Sequence, residues 1–463
     1  MSAQRSWSSL ALMLDNVDLV HGLYYALMHV WFDVVGYSPF TLRVPSVAAM
    51  AVAAALLVSL GTRLVHWRAG VFAGIAFISL PSVTSSGIEG RTFAPATAAL
   101  TLAIWLFVMA VHRQRAIWWT AYGAAVVLAT SLHVFCALVF MVLPLVMRLS
   151  PTRMRQWRAF AISSGLAALI LAPFLIKVAS QRGQLGGLTP IGLGSLVSAP
   201  RSIWFPWPTW GGYPMIFVAW LILAITLGVL LVSMRRQFWS QELPLGVGGT
   251  LTLVIGWLLA PVVLVMAWSA VGSDMYAPRY MIITSPALAL AIGIALHSLS
   301  LSLGRAWIAW VLLAMALTVT IALPWNAQRS TSAKYGAQTA LVAEAVRAGL
   351  RDGDAVIFVR VGGRMTQPRN AKYAYPAAFG NADDLTMGQA YHQTNSLYDV
   401  DVPLGDVSER LNGRARVLAI CQVQSGAPED NGDLQTLRNE GFAETSSVTG
   451  DGWVVRVFER QAA

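Results

Sequence analysis

The chain has 463 residues, of which 56% are hydrophobic and only 12% charged, with 18 tryptophans and a formal net charge of +10. A soluble domain carries roughly 25% charged residues, so this composition excludes a purely soluble protein and places most of the chain in a membrane. The basic balance does not call for a nucleic-acid partner. From Met1 to Ser330 there are 19 Lys+Arg against 6 Asp+Glu, and from Thr331 to Ala463 there are 13 against 16. That shift sets a boundary near residues 324–332, with membrane before it and a soluble module after it.

Residues 15–31 read DNVDLVHGLYYALMHVW, placing two carboxylates, two histidines and two tyrosines in an otherwise apolar run. Across 8–31 the apolar positions Leu10, Leu14, Val17, Leu23, Leu27, Val30 and Trp31 suit helices lying in the membrane interface more than a span. Ten apolar runs follow, at 44–63, 69–84, 92–111, 116–131, 134–148, 159–178, 214–234, 246–270, 281–300 and 306–324. Each must satisfy its backbone internally, so each is expected to be helical. Basic residues gather in the short loops between them, at Arg63/Arg68, Arg113/Arg115, Arg148–Arg158, Arg235/Arg236 and Arg305, which is the positive-inside pattern of cytoplasmic loops. Residues 1–43, 85–91, 179–213, 271–280 and the tail then fall outside.

The tail reads as a small sheet flanked by helices. A helical stripe over 336–350 precedes the strand-like run AVIFV at 355–359. Later come RVLAI at 416–420, a helix at 433–440 with Gly441 as C-cap candidate, and WVVRVF at 453–458. The expected organisation is an outer-face amphipathic region over 1–43, a helical membrane domain over 44–324 and an extracytoplasmic α/β domain over 325–463. The fold class is mainly α. Cys136 and Cys421 are read as unpaired apolar residues.

Residues 1–330 hold six acidic side chains. Asp15, Asp18 and Asp33 lie in the first outer segment, Glu89 in the next, Asp274 in the last, and Glu242 on the cytoplasmic side. Carboxylates among membrane spans are costly and mark a functional site or an ion-pair partner. The sharpest is Glu89, in the turn GIEGRTFAP with Arg91 two residues on. Spans nearly free of charge argue against a transporter, which places ionisable groups mid-span; a transporter or envelope-assembly scaffold remains the rival class.

The run DxVHGLYYxLMHxW, the entry LRVPS, the turn GIEGRTFA, the hairpin SLHVF and the late YAPRYM occur in an order that resembles GT-C class membrane glycosyltransferases. The nearest likeness is to the protein-mannosyltransferase-like (family 39) bacterial branch, over most of residues 10–330. The resemblance implies a GT-C-like helical bundle in the plasma membrane that moves a sugar, mannose among the candidates, from a polyprenyl-phosphate donor to a glycan, lipid or protein acceptor on the outer face. It also implies roles. A carboxylate serves as general base, with Asp18 and Glu89 as the catalytic candidates and Glu89 pairing with Arg91 or a divalent metal, Mg or Mn. Asp15, His21, Tyr24, Tyr25 and His133 line the sugar and acceptor site. Arg279, with Tyr276 and Tyr280, holds the donor phosphate through bidentate guanidinium geometry. His29 and His66 are read as structural, and Gln181 and Gln184 as loop polarity. The family's W-x-D-E element, which precedes the HGLYY-type run, is not present; this implies either a start downstream of that motif or a degenerate relative.

Overall fold

The computed structural model describes residues 1–181, 183, 190–206, 213–235, 243–272, 274–302, 304, 307–308, 310–313, 325–330, 338–359, 368–422 and 431–461. The chain divides into two compact units. One is formed by residues 18–28 and 40–328, and the other by 1–17, 29–39 and 329–463. The first 43 residues, expected as a region of their own, are thus shared between the two.

The N-terminal stretch folds as α1 (Trp7–Asn16) and α2 (Gly22–Val35), joined by a 3-10 turn at Leu19–His21. Ser6 caps α1 by accepting a hydrogen bond from the Ser9 amide. In the first unit α3 (Val44–Leu64) follows. The run expected as a single span at 69–84 is broken into α4 (Trp67–Ser79) and α5 (Pro81–Gly87), bent by 64°. Pro81 is the reason: it has no N–H to continue the ladder and pushes Leu80 into extended backbone, φ −65° and ψ 126°. Next come α6 (Phe93–Arg113) and α7 (Ala116–Leu132). The expected run at 134–148 is likewise divided, into α8 (Cys136–Phe140) and α9 (Leu143–Leu149), with Pro144 in the first turn of the second piece. The unit continues with α10 (Met154–Ser180), α11 (Leu193–Trp204), α12 (Tyr213–Arg235) and α13 (Gly246–Val271). A 3-10 segment, Pro278–Thr284, then leads into α14 (Ser285–Ser302).

Among the described residues six helical stretches are long and apolar enough to cross a membrane, or seven if the bent α4–α5 pair counts as one. The chain is a multi-pass membrane protein. Helices α7 and α8–α9 are shorter apolar pieces, and the expected last run, 306–324, falls largely outside the described residues. Small residues let backbones approach closely where α4 packs between α3 and α14. A Cβ on Gly70 would lie 2.2 Å from the Val58 carbonyl oxygen, and one on Gly293 would lie 2.4 Å from that of Ala69.

The second unit is built on a five-stranded sheet. Its strands are β1 (Ala355–Val359), β2 (Asp383–Asp384), β5 (Arg416–Gln422), β6 (Phe442–Gly450) and β7 (Trp453–Arg460), in the order β2-β1-β5-β7-β6. The short strands β3 (Met387–Gln389) and β4 (Val400–Asp401) pair separately. Strand β1 is parallel to β2 and β5, while β7 runs antiparallel to β5 and β6. All five residues of β1 are buried, as expected for a central parallel strand covered on both faces. One face packs on α15 (Thr339–Gly349) and α16 (Asn370–Ala374), through Val342, Val346 and Ala371. The other packs on α17 (Gly432–Asn439), through Leu434 and Leu437. The helix expected at 433–440, its Gly441 stop (φ +81°) and the three expected strands are all present. The α/β character expected of the tail is observed. Strand β6 was not legible because FAETSSVTG shows its exposed edge rather than an apolar alternation. Cys136 and Cys421 are both free and buried.

Helix α1 is fastened to this unit by Arg5, whose side chain is 1% exposed. Its guanidinium donates to the carbonyls of Thr394 (2.9 Å) and Ser396 and stacks over the Tyr391 ring at 5.2 Å. The receiving turn is held in place by buried charge. Asp399 accepts from the Tyr373 hydroxyl and the Tyr391 amide, both at 2.7 Å, and Arg369 bonds Asp384 (2.8 Å) and Asp401 while facing Asp399 at 3.7 Å. His29, read as structural, completes the N-terminal contacts by bonding the Ala3 carbonyl at 3.0 Å and meeting Trp7 edge-on.

Two outcomes are expected for purified protein in detergent. Arg5→Met strips one buried and one part-buried carbonyl of a charged donor and costs about 2–3 kcal/mol, seen as a lower Tm and faster proteolysis near residue 394. Gly293→Val overpacks the α4–α14 contact and costs about 1–3 kcal/mol, also read as a lower Tm.

Candidate active site

The site is assembled from four loop-and-turn segments of the membrane unit. The first is the turn at Asp18, whose backbone is left-handed (φ 63°, ψ 26°). For a residue with a Cβ this costs about 1–2 kcal/mol, and the turn is one of two such non-glycine positions among the described residues. It reverses the chain between α1 and the Leu19–His21 turn, so that Asp18 and His21 fall on one side. The Tyr25 hydroxyl, one helical turn into α2, donates to Asp18 Oδ2 at 2.5 Å. Asp18 Oδ1 lies 3.9 Å from His21 Nε2. The Leu19 amide donates to the Gln181 side-chain oxygen at 3.0 Å, and the Leu19–His21 turn packs on α7 and α10. Gln181 therefore positions the turn, a role its sequence context did not show; Gln184 lies outside the described residues.

The second segment is the GIEGRT turn. Ser46 donates to the Glu89 carbonyl at 2.6 Å, Arg43 to that of Ile88 at 3.0 Å, and Thr92 to that of Leu132 at 2.6 Å. Ser46 and Arg43 thus hold the turn by its backbone, while Thr92 reaches out of it to the end of α7, tying the entry of α6 to the start of α3 and the end of α7. Glu89 is half-buried and Arg91 exposed.

The third segment, His133 after α7, is fully enclosed at 2% exposure. Its Nε2 meets the Tyr280 carbonyl oxygen at 3.0 Å, so this nitrogen carries the proton. The histidine thereby anchors the fourth segment, the 3-10 stretch Pro278–Thr284 that presents Arg279 and Tyr280. Two tryptophans pin the far end of that stretch. Trp204 donates to the Thr284 hydroxyl at 2.9 Å, and Trp257 to the Ile283 carbonyl at 2.8 Å. Phe93 and Phe135 pack on the Tyr280 ring, and Arg279 lies over it at 5.3 Å.

These segments share one electrostatic neighbourhood. Burial pushes the His21 imidazole below its ordinary value; the Asp18 carboxylate opposes this, while the Arg91 and Arg279 guanidinium groups add to it. Burial also pushes Tyr24 up, against Arg91. His133 is held at about 4 by burial, with the Tyr280 hydrogen bond opposing and His21 adding to the depression. Asp18, His21, Tyr24, Arg91, His133 and Arg279 are therefore neighbours, although they come from segments up to 261 residues apart in sequence. Of the buried polar side-chain atoms without a hydrogen-bond partner among the described residues, four belong to this region: His21 Nδ1, Tyr24 hydroxyl, His133 Nδ1 and Tyr276 hydroxyl. An unpaired buried polar group costs about 1–3 kcal/mol, and such a set is what a polar ligand would satisfy.

The remaining expected members lie elsewhere or enter differently. Asp15 is exposed in the last turn of α1 and belongs to the other unit. Tyr276 is buried just before the 3-10 segment, its amide donating to Ser269 Oγ at 3.0 Å, and burial lifts its hydroxyl to about 12. His66 caps α4 by accepting from the Arg68 amide at 3.2 Å, as its structural reading requires. Among the described residues no group of three or more His, Cys, Asp or Glu side chains is placed to hold a metal ion.

Residues 23–177 match the family model described as dolichyl-phosphate-mannose-protein mannosyltransferase. Over the whole chain the structure is similar to that of ArnT from Cupriavidus metallidurans in the apo state. The TM-score is 0.57 at 14% identity, covering 98% of this chain and 93% of that one. The chain shares the ArnT fold. ArnT bound to undecaprenyl phosphate gives a TM-score of 0.54 at 13% identity, covering 99% and 93%. No curated protein matches the chain in sequence. The GT-C resemblance read from the order of HGLYY, GIEGRT, SLHVF and YAPRYM is borne out by the family match and the fold.

Because the native GT-C bundle keeps His133 neutral, it binds fewer protons there than the unfolded chain does between pH 6.5 and about 4. Stability therefore falls as pH drops through that window. His133→Gln should lower Tm at neutral pH yet flatten its decline from pH 6.5 to 4, as measured by thermal scans at each pH.

Proposed function

We propose that this chain is a membrane glycosyltransferase that takes a sugar from a polyprenyl-phosphate donor and passes it to a hydroxyl acceptor. The observation that carries the reading is the convergence of Asp18, His21, Arg91 and Arg279 around buried polar atoms that lack partners. Such a transfer needs a base for the acceptor proton and cations for the phosphate that leaves. The cluster offers both. Support for the lipid carrier comes from the ArnT structure with undecaprenyl phosphate, which shares this fold; support for mannose comes from the description of the family matched by 23–177.

In this reading Arg279, braced on Tyr280 and through it on His133, takes the donor phosphate together with Arg91. Tyr24, Tyr25 and Tyr276 offer hydroxyls and ring faces to the sugar. Asp18 orients the acceptor side. Glu89, fixed by its backbone in the GIEGRT turn, serves the same face. The guanidinium groups of Arg91 and Arg279 are assigned the phosphate charge. The site opens to the outer face of the plasma membrane, as the basic loops Arg63/Arg68 and Arg113/Arg115 support. The α/β domain is assigned an extracytoplasmic location, and the acceptor is a glycan, lipid or protein.

The test uses full-length chain in lipid nanodiscs. Arg279→Ala should weaken binding of undecaprenyl phosphate by about 10–100-fold, the equivalent of one charged hydrogen-bonding group, and abolish sugar release from polyprenyl-phosphate mannose. Wild-type affinity in the variant would remove the phosphate role.

A further inference from the structure

Two features of the cluster bear on which atom receives the acceptor's proton. Asp18 has one oxygen, Oδ2, engaged by the Tyr25 hydroxyl at 2.5 Å, and presents the other, Oδ1, to His21 Nε2 at 3.9 Å. His21 in turn has its second nitrogen, Nδ1, buried and without a partner among the described residues. The arrangement is a carboxylate behind an imidazole, with the imidazole's far nitrogen left open.

We infer that His21 Nδ1 is the proton acceptor of the transfer and that Asp18, held by Tyr25, is its positioning residue. The inference rests on the transferase reading above and assigns its base. In the step, the acceptor oxygen forms a bond to the anomeric carbon as the bond from that carbon to the phosphate oxygen breaks. The electron pair leaves with the phosphate, and the acceptor's proton moves to His21 Nδ1. The imidazolium so formed is stabilised by Asp18 through Nε2–H, as a carboxylate supports a histidine base generally.

The groups facing His21 make its basicity depend on the donor. Asp18 favours the charged imidazole, whereas Arg91 and Arg279 oppose it, and His133 lies close enough to couple with it. A phosphate bound at the two arginines cancels the opposing charge. Burial is the larger cause that holds His21 below its ordinary value in the free protein, and the two arginines add to it; a bound phosphate removes the arginines' part, so His21 is a stronger base once donor is bound. A free phosphate would exert the same field as a lipid phosphate, so the lipid chain contributes binding rather than the switch.

The experiment measures release of polyprenyl phosphate from a panel of polyprenyl-phosphate sugars by the full chain in nanodiscs, with water as the acceptor of last resort, across pH 4.5–8.5. The acid limb of kcat should lie at higher pH than that of kcat/KM, since the first reports the donor-bound state and the second the free one. His21→Gln should bind undecaprenyl phosphate as the wild type does, lose about 10²–10⁴-fold in kcat and lose the acid limb. If His21→Gln fails to fold, His21→Ala assayed with and without added imidazole takes its place, imidazole restoring activity. Asp18→Asn should lose less than His21→Gln and keep an acid limb. A His21 variant with wild-type kcat and acid limb, or an acid limb removed by Asp18→Asn alone, overturns the assignment. A wild-type chain that binds the lipid yet releases no sugar from any donor overturns the transferase reading itself.

Discussion

Moving a carboxylate or guanidinium to the centre of a bilayer costs about 2.5–3.5 kcal/mol on insertion scales, and the charged groups of the membrane unit are distributed accordingly. Its described carboxylates are Asp18, Glu89 and Asp274, and each lies in a turn or loop rather than inside a helix. The helices are left to pack through small residues and aromatic rings. Polar chemistry is thereby confined to the ends of helices, where four loop-and-turn segments meet. The same cost explains why so few polar groups suffice to mark the site.

Confinement alone would not give a defined geometry, since loops are the least constrained parts of a bundle. Here they are fixed by donors reaching in from the helices. Three donors, His133 Nε2, Trp257 Nε1 and Trp204 Nε1, hold Tyr280, Ile283 and Thr284 of one 3-10 segment. Ser46 and Arg43 hold the GIEGRT turn in the same fashion, and Thr92 of that turn donates out to the Leu132 carbonyl. The buried bonds among these, from Trp204, Trp257 and Thr92, are strengthened by the low local dielectric. The proposed transfer, in which a phosphate leaves, requires preorganised charge, and these anchors fix the turns that carry Arg91 and Arg279.

The stretch 15–31 shows how local conformation and long-range packing divide the work. Its apolar spacing gives two helices, and a single left-handed residue between them, Asp18, turns the carboxylate toward His21. Strained backbone of this kind persists where surrounding structure over-determines it. Tyr25 and Gln181 do so here, one through the Asp18 side chain and one through the Leu19 amide. Meanwhile the division between the two compact units falls within this stretch, after Val17 and again after Met28. Arg5 and its carbonyl partners secure the part that joins the α/β unit.

Much of this was determined by the sequence. Membrane character, the helical runs, the α/β tail and the GT-C likeness all follow from composition, period and motif order, because burial of apolar surface is a local pattern repeated along the chain. The candidate residues were legible for a related reason: a carboxylate, histidine or arginine beside a membrane span is conspicuous against 56% hydrophobic residues. Other features needed the tertiary structure. Pro81 and Pro144 broke runs that hydropathy alone joins, and edge strand β6 hid its pairing because its side chains face outward. Asp15 and Asp18, three residues apart, were separated into different units, while His21, Arg91, His133 and Arg279 were drawn into one field. Which charges share a site depends on how helix ends meet in space, and the period of a single helix carries no record of that.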